Sequence, residues 1–426
     1  MIRNIIGTVS TRLISAFISL FTILLTGWFL GAGKMGTISL IILALTLIQM
    51  LNSFVGGSAL VFLLPRTHLV KLFLPSYIWS IITSCLGSLI LGLLHLIPPG
   101  YSWHVLVLSL LLSLSTVNFM ILMGQERIKA YNTVSLIQVL SFFILLIFWM
   151  FVLHIQEVKS YLAGLFASYL IAFFLSLLMV MKNAKWGELK NTFQVIKEIF
   201  RFGTIMQMGN IFQFFNYRLS YYFIEFFMGI RAVGVYTMGV QLSESIWLVG
   251  RSISLVQYSR ISNEKNEKYA ARLTLDLVKI SFIITFVAFC ILYFLLILFF
   301  PLVFKPEFSQ VKLIMTVLVF GILTFSVSII LSPFFSGIGK PIHNTISAAI
   351  GLVFTIVSGW LLIPRLGYVG AGISASISYT VATIYQFIVF LKISKVKARD
   401  FILTKSEFRG FIVGLKGYLT SKEEQG

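Results

Sequence analysis

Apolar residues run along this chain in long blocks separated by short clusters of glycine, proline or charge, and most blocks reach the roughly 20 residues that a helix needs to cross a bilayer. Twelve can be marked, at about residues 5–30, 36–64, 69–97, 104–124, 130–154, 160–181, 202–228, 233–258, 277–304, 310–336, 341–363 and 369–391. The breaks fall on turn residues or charges, among them Gly31 to Gly36, Pro65-Arg66, Pro98-Pro99-Gly100, Gly229 to Ala232, Gly337 to Pro341 and Pro364 to Gly367. The first block starts close to Met1, carries Arg12 and is followed by no small-residue cleavage site, so it reads as a retained span and not a signal peptide. The pattern predicts an all-α polytopic membrane protein of twelve transmembrane helices joined by short hairpins.

Composition agrees: 58% of residues are hydrophobic and 11% charged, which excludes an ordinary soluble domain with about 25% charge. Thirty-three Lys and Arg against 14 Asp and Glu give a net charge of +19, an excess that elsewhere suggests nucleic acid or an anionic surface. Its distribution argues otherwise. With the N-terminus cytoplasmic, 23 basic residues fall in cytoplasmic segments and 6 outside, so the excess follows the positive-inside rule and both termini are expected in the cytoplasm. Trp28, Trp103, Trp149 and Trp360 sit at the outer ends of their spans, as an aromatic belt requires. Cys85 and Cys290 lie far apart in apolar runs and the five histidines do not cluster, so no disulfide, metal site or cofactor is expected.

Two stretches lie beside the spans. Leu189, Phe193, Ile196 and Phe200 recur at helical spacing among Lys190, Lys197 and Arg201, which predicts an interfacial linker helix over 182–201. The tail, 392–426, intersperses Phe401, Phe408, Phe411 and Leu415 with basic residues, a pattern suited to anionic lipid. The expected organisation is a six-helix lobe over 1–181, the linker, a second lobe over 202–391, and a basic cytoplasmic tail.

Six spans per half is an even number, so two copies of such a unit share one orientation and relate by a pseudo-twofold axis along the membrane normal. The sequence carries traces of a repeat. Gly31-Ala32-Gly33-Lys34-Met35-Gly36 after span one matches the glycine spacing of Gly229-Ile230-Arg231-Ala232-Val233-Gly234 after span seven, 198 residues on. Ala163-Gly164-Leu165-Phe166-Ala167-Ser168 in span six corresponds to Ala371-Gly372-Ile373-Ser374-Ala375-Ser376 in span twelve, 208 residues on.

Three stretches resemble the polysaccharide-exporting flippases of the multidrug/oligosaccharidyl-lipid/polysaccharide exporter superfamily: Gly31 to Ile42; Ala232-Val233-Gly234-Val235-Tyr236; and Ile363 to Gly372. The resemblance covers most of the chain. Twelve spans look like the flippases for lipid-linked O-antigen or capsule repeat units, whereas lipid II flippases of the superfamily usually have fourteen. It implies two lobes around a central cavity that opens alternately to each side of the bacterial inner membrane.

An ionisable residue inside a span costs about 2.5–3.5 kcal/mol at the helix centre and should face a cavity or a partner. At 100° per residue, Thr8, Arg12, Ser15, Ser19, Thr22 and Thr26 share one face of span one. Gln207, Asn210, Arg218, Tyr221 and Glu225 share a face of span seven, and Glu244, Trp247, Arg251, Ser254 and Tyr258 of span eight. Spans one and seven are the equivalent first helices of the halves, where a shared cavity would be lined. Arg12, Arg218 and Arg251 are then candidate ligands for a diphosphate, which guanidinium binds in a bidentate manner; Tyr221, Trp247, Gln207 and Asn210 are candidate sugar contacts. The structural alternatives are an Arg218–Glu244 pair across helices, a snorkelling Arg12 and a packed Trp247. Glu244 and Glu225 are the only acids well inside a span and are candidates for coupling to a proton or sodium, or else salt-bridge partners. Asn52 with Gly56-Gly57, Pro75 and Pro333 are candidate hinges.

The expected function is therefore translocation of an undecaprenyl-diphosphate-linked oligosaccharide, with membrane lipid as neighbour and with polysaccharide polymerase and glycosyltransferases as candidate contacts. A multidrug exporter of the same superfamily is the alternative. A membrane glycosyltransferase or polymerase fits less well, because no outer connection is long enough to hold a catalytic domain.

Overall fold

The computed structural model describes residues 2–64, 67–182, 192–262, 266–303 and 305–401; the side chains of some helical positions within them, Arg12 included, lie outside the description. Regular structure among these residues is entirely helical: α1 (Ile2–Gly56), α2 (Ser58–Leu63), α3 (Leu69–Leu93), α4 (Ser102–Gly124), α5 (Ile128–Ile147), α6 (Val158–Met181), α7 (Thr192–Met228), α8 (Ile230–Ser245), α9 (Trp247–Ser262), α10 (Glu267–Val303), α11 (Val311–Gly337), α12 (Ile342–Leu366) and α13 (Tyr368–Ser394). Nine stretches among the described residues are long and apolar enough to cross a membrane by composition alone, the first running over both spans of α1. Helix α7 and the α8–α9 pair complete twelve. Helices α8 and α9 are each only 16 residues long, and α7 carries the polar residues of span seven.

The halves repeat in backbone as well as sequence. Helix α1 breaks at Gly31 (φ 78°, ψ 173°) between spans one and two, and Gly229 (φ 85°, ψ 170°) makes the same break between α7 and α8. Positive φ is strained for a residue with a Cβ, so glycine is required at both breaks. Five residues further on, Gly36 and Gly234 touch each other's helices. A β-carbon on Gly36 would overlap the Ile230 carbonyl, and one on Gly234 would overlap the Ala32 carbonyl. Because Ala32 and Ile230 are themselves equivalent under the repeat, the contact is self-complementary about the pseudo-twofold axis.

Around this crossing the lobes share a core. Ala32, Met35, Leu40 and Leu43 of α1 pack in one cluster with Val233, Tyr236, Phe308 and Ile314 of the second lobe. Elsewhere each lobe has its own core, the first built on α1, α4, α5 and α6. Small hydroxyl residues let its helices approach closely: Ser76, Ser80, Thr83, Ser84 and Ser88 form a buried face of α3. Ser80 donates to Asn52 Oδ1 at 2.8 Å, and Asn52 Nδ2 reaches the Ser113 carbonyl at 3.4 Å. In the second lobe Asn216 of α7 accepts hydrogen bonds from Thr355 (2.9 Å) and from Ser378, joining α7, α12 and α13. Of the candidate hinges, Gly57 separates α1 from α2, while Pro75 and Pro333 lie inside unbroken helices.

The expected separate linker helix over 182–201 is corrected. Residues 183–191 lie outside the described residues, and from Thr192 the chain is already α7, continuous into span seven. Its apolar side is taken up by the first lobe: Ile199 is fully buried with Val55, Leu60 and Val180, and the Phe200 ring lies edge-on to Trp79 at 4.9 Å. Helical periodicity cannot distinguish a face laid on lipid from one laid on protein, and here the first lobe supplies the apolar surface. At the same end Gly203 lies against Phe54, where a β-carbon would overlap the Phe54 carbonyl. Of the tail, Phe401 packs against Phe387 at 4.8 Å, and 402–426 fall outside the described residues.

Replacing Gly36 with Val should force the lobes apart at the Gly31 end. In a Cys85→Ser/Cys290→Ser background, spin labels on Trp103→Cys and Arg365→Cys, one per lobe, should report a longer separation; an unchanged distance would contradict the crossing.

Candidate functional site

Beneath the α1–α8 crossing lies a cavity of about 630 Å³, within the 300–1,000 Å³ usual for ligand sites. Both lobes wall it. From the first come Ser19, Thr22 and Thr26 of span one, Ser39 and Thr46 of span two, Gln138 of α5, and Tyr161, Ser168 and Tyr169 of α6. The second contributes Tyr217, Arg218 and Tyr221 of α7, Thr237 and Gln241 of α8, and Arg251 of α9. Ser19 and Arg251 are exposed lining residues, so the open edge of the cavity runs between α1 and α9.

Arg218 stands on the second-lobe wall, and Glu244 backs it from behind without lining the cavity itself. The guanidinium donates to both carboxylate oxygens, Nη1 to Oε1 at 2.9 Å and Nη2 to Oε2 at 2.7 Å, a bidentate ion pair joining α7 to α8. It is largely shielded, with side-chain exposures of 23% and 11%. The Arg218 guanidinium also lies 5.3 Å from the centre of the Tyr221 ring, and Nη1 approaches the Tyr221 hydroxyl at 3.4 Å. Guanidinium has five N–H donors, and Glu244 takes two, so Arg218 keeps donor capacity toward the cavity. Arg251 makes no ion pair among the described residues; its guanidinium sits 5.9 Å from the Trp247 ring centre, in cation–π range.

The structure divides the sequence candidates. Arg218, Tyr221 and Arg251 lie together on the cavity wall. Arg12 lies on α1 toward the N-terminus, its side chain outside the description. Gln207 and Asn210 lie nearer the start of α7, bonded to each other at 3.1 Å and off the wall. Glu225 is off the wall toward the other end of α7. Trp247 as a sugar platform is corrected: its side chain is wholly buried, its indole N–H donates to the Ile322 carbonyl at 3.0 Å, and its ring packs against Phe325 and Tyr379. Ile246 keeps helical dihedrals, so the stripe continues through it: Arg251, two turns after Glu244, reaches the wall, while Trp247, 60° round the helix from Glu244 at 100° per residue, turns into the second-lobe core. Gln138, Tyr161, Tyr169, Thr237 and Gln241 were missed. Thr237 and Gln241 were legible, being two turns and one turn before Glu244 on its face; the α5 and α6 residues carried no sign of a cavity as opposed to a packed interior.

Residues 29–310 match the family model described as polysaccharide biosynthesis protein. A curated relative, an uncharacterized membrane protein of Methanocaldococcus jannaschii, is 23% identical over 275 residues, covering 62% of this chain and only 54% of that protein. Among solved structures, the lipid II flippase MurJ in an inward closed conformation matches with a TM-score of 0.72 at 17% identity, over 99% of this chain and 93% of that one. An inward-facing multidrug resistance MATE family transporter gives 0.65 at 14% identity, over 91% and 98%. A MOP superfamily transporter from Pyrococcus furiosus gives 0.60 at 17%, over 92% and 95%. These likenesses establish the fold: two six-helix lobes arranged as in those transporter structures.

Removing one partner of a shielded pair leaves an uncompensated charge. Arg218→Ala or Glu244→Ala should each destabilise the protein by up to about 3–5 kcal/mol, and the double variant by less than the sum. Thermal unfolding in detergent measures this; additive losses would show that the pair is not coupled.

Proposed function

We propose that this chain, which belongs to the polysaccharide biosynthesis protein family, is a flippase that carries undecaprenyl-diphosphate-linked oligosaccharide repeat units, of O-antigen or capsule, across the bacterial inner membrane by alternating access. The observation that carries this reading is the cavity between the lobes, where two arginines stand among tyrosines, amides and hydroxyls. Arginine suits the diphosphate because its planar fork matches phosphate oxygens. Tyr161, Tyr169, Tyr217 and Tyr221 offer ring faces and hydroxyls to sugars; Gln138 and Gln241 add amide donors and acceptors. The apolar carrier passes along the open edge between α1 and α9 into lipid.

The distribution of basic residues makes the end that holds both termini cytoplasmic and the Gly31 end periplasmic. In this reading the substrate enters from the cytoplasmic side, and its phosphates meet Arg251 at the exposed edge before Arg218. Competition by phosphate for Arg218 would loosen Glu244, freeing its carboxylate to take a proton or sodium; this makes Glu244 the candidate coupling residue. Glu225, off the wall, takes no part in the scheme. Membrane lipid surrounds the protein, and polymerase and glycosyltransferases of the same route are its natural neighbours.

Arg251→Ala should lower surface polysaccharide at least tenfold without loss of protein, with Arg251→Lys intermediate because a point charge replaces the fork. Deletion of the gene should leave completed repeat units on the cytoplasmic leaflet. Normal polymer in both strains would overturn the reading, and drug sensitivity accompanying it would favour a multidrug exporter.

A further inference from the structure

Glu307 lies in the short connection between α10 and α11, on a 3-10 turn formed by Pro306–Phe308, at the Gly31 end of the second lobe. Its carboxylate Oε1 accepts the backbone N–H of Ala32 at 2.9 Å. Ala32 belongs to the first lobe, so this hydrogen bond ties one lobe to the other. Four features make it more than a chance contact. The break at Gly31 creates a new helix start, whose first N–H groups have no partner in their own helix. Ala32 is fully buried, and a buried N–H without a partner is costly. A helix N-terminus carries partial positive charge, so a carboxylate is the favoured cap. The turn is also fixed: Phe308, beside Glu307, is wholly buried in the same core as Ala32 and Met35.

The repeat sharpens the point. At the equivalent break, where Gly229 precedes α8, no side chain among the described residues caps the new helix start, although the two backbones bend alike. The cap on Ala32 is thus an addition to the shared architecture, supplied across the lobe boundary.

We propose that Glu307 is an inter-lobe latch: it satisfies the buried N–H of Ala32 only while the Gly31 end is closed, and so biases the lobes toward that state. This rests on the reading that the lobes separate at this end during transport. When they part, water reaches Ala32 and replaces the carboxylate. A group that interacts with one state and not the other shifts the equilibrium by that difference. Removal of Glu307 leaves Ala32 buried and unpaired in the closed state alone, and the population moves toward open.

The test uses the full-length protein in proteoliposomes without substrate, in the Cys85→Ser/Cys290→Ser background with spin labels on Trp103→Cys and Arg365→Cys. Glu307→Ala should raise the open, long-distance population roughly tenfold relative to the parent. Glu307→Gln, whose amide oxygen still accepts the N–H but lacks the charge, should shift it less; it also serves as the test if the alanine variant does not fold. A Gly36→Val control, which opens the end sterically, separates the two ideas. A shift in Gly36→Val with none in either Glu307 variant overturns the latch and leaves moving lobes standing. No shift in any of them overturns both.

Discussion

The crossing of α1 over α8 at Gly36 and Gly234 is the contact on which the rest of the architecture depends. Two backbones meet where no side chain fits, and the meeting is self-complementary because the chain has repeated itself. Gly31 and Gly229 aim the two helices at each other by the same positive-φ turn. Closure at this end lets one hydrophobic cluster run through both lobes. Beneath it the lobes diverge, and the space they leave is the cavity. The two-lobe fold therefore combines a tight junction at one end with a looser interface below it.

Electrostatics in the cavity differ from the bulk charge. The net +19 is accounted for mainly by residues outside the spans. Within the site, the bidentate pairing of Arg218 with Glu244 removes one of the apparent cations, and Arg251 at the exposed edge is left as the described wall's uncompensated charge. An anion entering from that edge would meet a single cation first and an ion pair second. Such a pair discriminates: an anion that can share Arg218 gains from it, and a cation has only an occupied carboxylate to approach.

Much of this was legible in the sequence because hydrocarbon imposes a simple rule on a helix. Span ends, turn glycines and polar stripes are direct records of what lipid excludes, and the twelve spans, the Gly31/Gly229 repeat and the placement of Arg218, Tyr221 and Arg251 on one wall came from them. What failed has physical causes as well. Trp247 was misplaced because it sits at the edge of its polar stripe, where a side chain can turn either to the cavity or to the neighbouring helices, and its ring and indole N–H both find partners in the core. Residues 192–201 were assigned to the membrane surface because an amphipathic period does not name its partner, and α7 lays that face on the first lobe instead. Tyr161, Tyr169 and Gln138 were missed because a polar residue facing away from lipid looks the same beside a cavity as within a packed interior. Glu307 lay in a connection that periodicity does not read at all.

The central claim is that the Gly31 end must open and close for cargo to cross. Gly33 and Arg231 are equivalent positions on the two lobes at that end, and the space around the Gly33 Cβ position is open. Gly33→Cys with Arg231→Cys, in a chain lacking its two native cysteines and bridged by a short, reducible thiol cross-linker, would tether the lobes across the crossing. Export of polysaccharide should stop while the tether is in place and resume when it is reduced; full export by the tethered protein would contradict the account.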